Sequence, residues 1–462
     1  MEKGFEWVTR FFVITRRRSE MLKKVCMITV IFLSFTVLTG YWGTGGVCAA
    51  EKKESPVGKV ELSKEPERAV DPHVGYFRFY FQDEKMDYIF GSVILGATVN
   101  HGCEIGEAFY TASKIKDGDA ASWQAEWIKT ARLVEARGEK SLARGHKVSA
   151  RDQLQRASYY YHAALVSMPP DDPRFKETAL KGRALLKKAG KLLSPQLEYI
   201  EIPFEGTLLP GYFRKAGPGK KPAKTLIMIG GAETYAEGHF FYIGPQAFDR
   251  GYNFLTVEIP GQGILPLEGK FFRPAMDVPI RAVVDYALSR RDVDPKRLAV
   301  YGISSGGGFA PMAAEKDDRI KAVIMNNAVM DAGAGVSKMG VASATPEVTR
   351  TWSSFKVRLN QAIAWRFGLE ENDLAGLVQA NRALRFDPAR IAAPALILVA
   401  SGEYQSPEIK RQNDLCFKLL PNAKKRMVIT PVEEGASNHC IMENRSLMSQ
   451  ELFDWLDEVF NR

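Results

Sequence analysis

The segment Leu298-Ala-Val-Tyr-Gly-Ile-Ser-Ser-Gly-Gly-Gly-Phe309 sets an apolar run directly before Ser304, with Gly302 and Gly306 two residues to either side. Alone such a pattern is short, so the surrounding residues must support it. A strand has to end in a turn too sharp for ordinary side chains, and a helix has to leave it, so small residues are needed where the two approach. The serine hydroxyl then projects from the turn, beside the positive end of the helix. Ser305 is the competing nucleophile, but a pattern centred there would put Ile303 and Gly307 at the flanks, so Ser304 fits better.

The surrounding residues fit this reading. Leu197 to Phe204 and Leu208 to Arg214 are expected to be strands of an antiparallel hairpin turning at Gly206. Apolar runs then alternate with helical stretches, at 225–229, 254–259, 298–301, 322–325, 395–400 and 426–430. Short buried runs separated by helices indicate a mostly parallel, doubly wound sheet with both faces covered. This half, residues 196–462, is expected to be the catalytic domain, with an insertion at 331–392 whose Trp352, Phe355, Trp365 and Phe367 would wall a pocket or fill their own core.

Residues 71–195 lack that alternation and read as a helical domain. Trp123 and Trp127 sit one turn apart, Ser149 and Asp152 have the spacing of a capping box, and Leu154, Ala157, Tyr161 and Leu165 follow at helical intervals. The prolines from Pro169 to Pro173 break the helix, and another is expected from Phe175 to Leu193. A paired-helix repeat array is the alternative, but no 34-residue period recurs.

Residues 1–50 read as a leader and 51–70 as a charged, proline-containing linker. Lys23 and Lys24 precede 18 uncharged residues, Val25 to Trp42, and small residues follow up to Ala49 and Ala50. That is the pattern of a secretory signal cut near Ala49 or Ala50, and the mature protein is expected to be periplasmic or secreted. A membrane anchor over residues 25–42 is the alternative, at the short end of what spans a bilayer. Met21 would open a better-proportioned signal than Met1. The net charge of +9 is partly the leader's, and no basic stripe with interleaved aromatics argues for nucleic acid. Beyond the leader only Cys103, Cys416 and Cys440 remain, which allow one disulfide at most. No CxxC or HExxH occurs and the six histidines are scattered, so neither a metal nor a cofactor is expected.

Acyl transfer by a serine needs a base, an acid that orients the base, and donors for the developing oxyanion. His439 is the only histidine after Ser304, and it stands in a loop between the last expected strand and the final helix. Glu403 is the first carboxylate after the run 395–400, where the acid is expected; Asp331 is the alternative, while Glu408 and Asp414 read as helix-surface charges. The glycine pair closing Leu226-Ile-Met-Ile-Gly-Gly-Ala-Glu233 would turn the N–H of Gly231 or Ala232, with that of Ser305, toward the oxyanion. No phosphate-binding glycine pattern occurs there.

The pieces Ile202-Pro-Phe-Glu-Gly206 with Leu209-Pro-Gly-Tyr212, Ile229-Gly-Gly231, Ile259-Pro-Gly-Gln-Gly263, Tyr301 to Gly307 and His439-Cys440 resemble the α/β-hydrolases grouped with dihydroxypseudooxynicotine hydrolase and with esterases of the fermentation-respiration switch type. Gly118-Asp119, Trp123 and Arg156-Ala-Ser-Tyr-Tyr160 extend the likeness over roughly residues 75 to 460. It departs at the acid, since related turns carry Asp a little further on, where this chain has Tyr404 or Gln405. The resemblance implies a serine hydrolase of small carbonyl substrates with a helical cap over the active site. The group's members cleave esters, amides and carbon–carbon bonds, so these remain alternatives, as do an acylaminoacyl or dipeptidyl peptidase, a non-catalytic binding protein on this fold, and a homodimer.

Overall fold

A computed structural model describes residues 75 and 77–460, apart from 220, 339–348 and 371–372. The leader, its cleavage site and the linker lie outside the described residues.

The helical part begins with α1 (Glu84–Tyr88), which runs on through a π-helical turn, Ile89–Ile94, and a 3₁₀ segment, Leu95–Asn100. Then come α2 (Ile105–Ala112), α3 (Ala120–Ala143), α4 (Lys147–Leu165) and α5 (Pro173–Gly190). Apolar spacing explains α3: Trp123 and Trp127 fall on one face and are fully buried, and Trp123 Nε1 donates to Ala163 O of α4 at 2.8 Å. The expected capping box at Ser149 is not formed. Gly145, at φ +81°, closes a tight connection from α3, so α4 starts at Lys147 with Ser149 already inside it, and Asp152 turns to Arg151. Asp172 and Pro173 act as helix start rather than spacer: the Asp172 carboxylate accepts the Arg174 N–H and Pro173 opens α5, which ends at Gly190, three residues before the expected stop.

The eight strands are β1 (Leu197–Phe204), β2 (Thr207–Arg214), β3 (Ala223–Ile229), β4 (Asn253–Val257), β5 (Val293–Ile303), β6 (Ala322–Asn326), β7 (Ala395–Ala400) and β8 (Lys425–Thr430). They form one sheet in the order β1-β2-β4-β3-β5-β6-β7-β8. The β1–β2 hairpin and the β2–β4 pair are antiparallel, and every other pair is parallel. Successive side chains of a strand point to opposite faces, and each face has its own core. Leu226 and Met228 of β3, Ala299 and Tyr301 of β5, and Leu396 and Leu398 of β7 face one core, whereas Ile227, Ile229, Val300 and Ile397 face the other.

Helices α6 (Ala236–Asp249), α7 (Asp277–Ser289) and α8 (Gly306–Ala314) connect the central strands; α9 (Ala332–Lys338), α10 (Ser354–Arg366) and α11 (Leu374–Asn381) lie in the insertion; α12 (Ser401–Tyr404), α13 (Pro407–Leu419) and α14 (Arg445–Phe460) complete the chain. The first core runs without a break into the helical part, where Trp123, Trp127, Tyr159 and Tyr160 join Phe240, Phe241 and Trp455. Arg445 fastens the two. Its buried guanidinium donates to Phe241 O and to Val93 O, a carbonyl of the π-helical turn, at 2.9 and 2.6 Å.

A second tie is ionic. Arg183 of α5 donates to Glu237 of α6 at 2.9 Å and to Glu258, just beyond β4, at 2.6 Å, with all three side chains buried. Burial works against ionisation of both carboxyls. At Glu237 Arg183 wins, and the pKa lies below the usual carboxylate value; at Glu258 burial and the neighbouring Glu237 charge win, and it is raised. Such a cluster costs little while intact but leaves uncompensated charge once one partner is removed. Cys103, Cys416 and Cys440 are buried free thiols.

Candidate active site

In an open α/β sheet the crevice lies at the carboxyl ends of adjacent strands whose connections depart in opposite directions. Here those strands are β3, which leads to β4 on one side, and β5, which leads to β6 on the other. The glycine pair ends the first and Ser304 the second.

The elbow is built by close contact. Ser304 has φ +54°, a strained value for a side-chain-bearing residue. Its N–H is held by Asn326 O at 2.8 Å, and its carbonyl accepts the Gly307 N–H at 2.8 Å. A methyl group at Gly302 would stand 1.9 Å from Gly306 O, and one at Gly306 would stand 2.5 Å from Ile229 O. Both glycines are therefore demanded by the approach of α8 to β5 and β3.

Around this serine the structure assembles His439 and Glu403. His439 Nε2 lies 2.9 Å from Ser304 Oγ, and its Nδ1 lies 2.5 Å from Glu403 Oε1. Glu403 is only 2 % exposed, and its carboxylate also accepts Asn327 Nδ2 at 2.8 Å and the Cys440 N–H at 3.2 Å. With Glu403 accepting from Nδ1, the Nε2 lone pair faces the serine hydroxyl. Burial alone would push the His439 pKa down. The charge and hydrogen bonding of Cys440 and Glu403 outweigh it, and the pKa stands well above the ordinary 6.5. Burial also raises the Cys440 thiol. The Cys440 sulfur sits 3.4 Å from His439 Nε2, in a residue at φ +58°.

Asp331, the alternative acid, is engaged elsewhere. Its carboxylate takes the Ala334 N–H at 2.8 Å and faces Arg385 at 3.3 Å. Glu408 pairs with Arg411 and Asp414 with Lys410, both on the surface of α13. Glu403 reaches His439 from the first turn after β7, while Tyr404 points to Asp414 and Lys410.

Gly231 packs directly on the serine, for a methyl there would stand 2.6 Å from Ser304 Cβ and 3.0 Å from Oγ. Among the described residues no backbone acceptor takes the N–H of Gly231, Ala232 or Ser305. Two cavities meet at Ser304 and His439. One, of about 150 Å³, lies under the helical part and is lined by Ile89, Tyr159, Phe175, Tyr235, Leu359 and Trp365 among others. The second, of about 190 Å³, is more polar, with Asn327, Asn360, Asn381 and Gln412 alongside Ile363 and Phe367. The four aromatics of the insertion thus divide: Trp365 and Phe367 line cavities, Phe355 is buried against Trp123, and Trp352 lies beneath Lys356. Asn327, Gln262 and Arg366, which shape the site, carry no pattern that sequence reading singles out beyond the place of Gln262 in Pro-Gly-Gln-Gly.

The prolyl oligopeptidase family profile matches residues 279–352, the stretch from α7 through the elbow into the insertion. Hydrolase LUC6 of Fusarium sp is 27 % identical over 403 residues, which span 79 % of this chain and 94 % of that protein. Alpha/beta hydrolase gkaG of Penicillium citrinum is 35 % identical over 244 residues, 50 % of this chain and 56 % of its own length. The crystal structure of 2,6-dihydroxy-pseudo-oxynicotine hydrolase superposes with a TM-score of 0.64 at 24 % identity, covering 79 % of this chain and 95 % of that one.

Proposed function

We propose that this chain, which is similar to hydrolases of the α/β-hydrolase group, cleaves an ester or related acyl bond of a small carbonyl compound through a covalent intermediate on Ser304. The observation that carries this is the continuous line Ser304 Oγ, His439 Nε2, His439 Nδ1, Glu403 Oε1, with gaps of 2.9 and 2.5 Å. Ser304 Oγ bonds to the carbonyl carbon while its proton passes to Nε2. The oxygen that gains the electron pair is met by the N–H groups of Ser305 and of Gly231 or Ala232. As the tetrahedral species collapses, Nε2 returns the proton to the leaving group. Water then repeats the sequence on the acyl-enzyme, with His439 again taking the proton. Glu403 holds the imidazole tautomer throughout.

The cavities bound the substrate. A space of about 150 Å³ with apolar walls is of the size that admits a benzene ring, so the group under the cap is a single ring or a short branched chain. The second, more polar cavity takes the other side of the scissile bond. The same three side chains would serve carbon–carbon hydrolysis, with a carbanion leaving in place of an alkoxide, and the match to the prolyl oligopeptidase family favours including amides. A screen of aryl-alkyl esters, aminoacyl amides and β-diketones, with Ser304→Ala as control, tests the proposal. Turnover of esters above the other two classes, lost in Ser304→Ala, is expected; turnover of diketones alone would move the activity to carbon–carbon bonds.

A further inference from the structure

The weak part of an oxyanion hole made from a glycine pair is the pair itself. Glycine resists neither positive nor negative φ, so the peptides on either side of Gly231 can rotate at little cost, and a rotated peptide presents a carbonyl where the oxyanion needs an N–H. From within the loop Thr234 Oγ1 donates to Gly231 O at 3.1 Å; the Gly230 plane has to be held from outside it.

Gln262 does so. Its side chain is completely buried, and its Nε2 donates to Gly230 O at 2.8 Å and to Gly231 O at 3.0 Å. Its Oε1 accepts the Ile259 N–H at 3.2 Å, which fixes which end of the amide carries hydrogen. Both N–H bonds of one side-chain amide are therefore spent on two consecutive backbone carbonyls. In a planar trans peptide the C=O and the next N–H point in opposite directions. Holding Gly230 O back from the serine turns the Gly231 N–H forward, and holding Gly231 O does the same for Ala232.

The anchor is itself rigid. Gly261 and Gly263 have φ of +94° and +57°. The Gly261 N–H is bonded to Lys270 O at 2.8 Å and the Gly263 N–H to Thr234 O at 2.9 Å. Arg366, at the end of the insertion helix α10 and in the wall of the apolar cavity, donates to Gly261 O at 3.0 Å. A methyl at Gly263 would fall 1.9 Å from the Glu258 carboxyl.

We infer that Gln262 is a positioning residue for the oxyanion donors: it touches no substrate and acts by fixing the peptide planes of Gly231 and Ala232. This rests on the serine-hydrolase reading above. The alternative is that the amide only satisfies two buried carbonyls, in which case removing it would lower stability but not turnover per folded molecule.

The test compares wild type with Gln262→Met, close in volume but without donors, using the best ester from the screen. Active sites are counted by fluorophosphonate titration, and binding is compared for a trifluoromethyl ketone, whose adduct carries an oxyanion, and for the product acid, which has none. The expected result is a fall in kcat per titrated site on the order of 10–10²-fold, less than the ~10²–10³ that loss of a direct donor costs. KM should stay within about threefold, trifluoromethyl ketone affinity should fall in parallel with kcat/KM, and product binding should be unchanged. Should Gln262→Met not fold, Gln262→Asn, which keeps the amide on a shorter arm, gives the same readout. A kcat per titrated site within twofold of wild type, or a loss confined to KM, overturns the inference while leaving the serine hydrolase intact. If wild type itself takes no fluorophosphonate at Ser304, the underlying reading falls and this inference falls with it.

Discussion

Replacing Glu403 by glutamine keeps size and shape and removes only the charge and half the accepting capacity. The carboxylate accepts from His439 Nδ1, Asn327 Nδ2 and the Cys440 N–H, and an amide cannot satisfy all three. If its oxygen stays on His439 and Asn327, its NH₂ faces the Cys440 N–H, donor against donor. If it flips, Nδ1 must become an acceptor, the imidazole proton moves to Nε2, and Ser304 meets an N–H where it needs a lone pair. The flip relieves only one clash, since Asn327 Nδ2 then faces the NH₂. In either orientation the imidazolium formed in the transition state has lost its adjacent anion. The corresponding carboxylate-to-amide change in a serine protease lowers kcat about 10⁴-fold, roughly 5 kcal/mol of barrier. A loss of about 10³–10⁴ in kcat with KM nearly unchanged is expected for Glu403→Gln, whereas Asp331→Asn should stay within about twofold. Steady-state kinetics on one ester, with the rate of fluorophosphonate labelling as a second reading, measures both. A loss of less than tenfold at Glu403, or a large loss at Asp331, would refute the reasoning about the acid.

Further outcomes follow from the same geometry. Gly231→Ala places a methyl 2.6 Å from Ser304 Cβ and should abolish turnover while the protein remains folded by circular dichroism; retained activity would mean that the loop and the serine are not in contact. His439 must be neutral to accept a proton and its pKa is raised above 6.5, so kcat/KM should rise with pH along an acid limb centred above 6.5, and a limb at or below that value would show that burial outweighs the Cys440 and Glu403 contacts of the imidazole. Arg183→Met strands two buried carboxyls and should cost about 3–5 kcal/mol in urea unfolding; a loss under about 1 kcal/mol would show that the cluster is hydrated.

Much of this was legible because it is local. Apolar runs mark the strands, and Gly302 is required by Gly306 O, four residues on; Gly306 in turn is required by Ile229 O, which only the pairing of β3 with β5 brings near. His439 is identified by uniqueness rather than by environment. In the sequence Glu403 is the expected acid and Asp331 stays an alternative, because the choice depends on how far a side chain reaches across a turn after β7, and on Asn327, which meets Glu403 from 76 residues away. Ser149 has a capping spacing that Gly145 overrides by starting the helix earlier. Arg183, Glu237 and Glu258 look like ordinary surface charges in the sequence, and only packing of α5 on the sheet buries them together. Gln262 likewise has no meaning until the loop after β4 folds against the loop after β3.

The central claim is that Ser304 is the nucleophile. Reaction with a fluorophosphonate followed by intact mass and peptide mapping tests it most directly. A single adduct on the peptide containing Ser304, absent in Ser304→Ala and slowed by His439→Ala, is the predicted result. An adduct on Ser305, equal labelling of Ser304→Ala, or no adduct on folded wild type would contradict it.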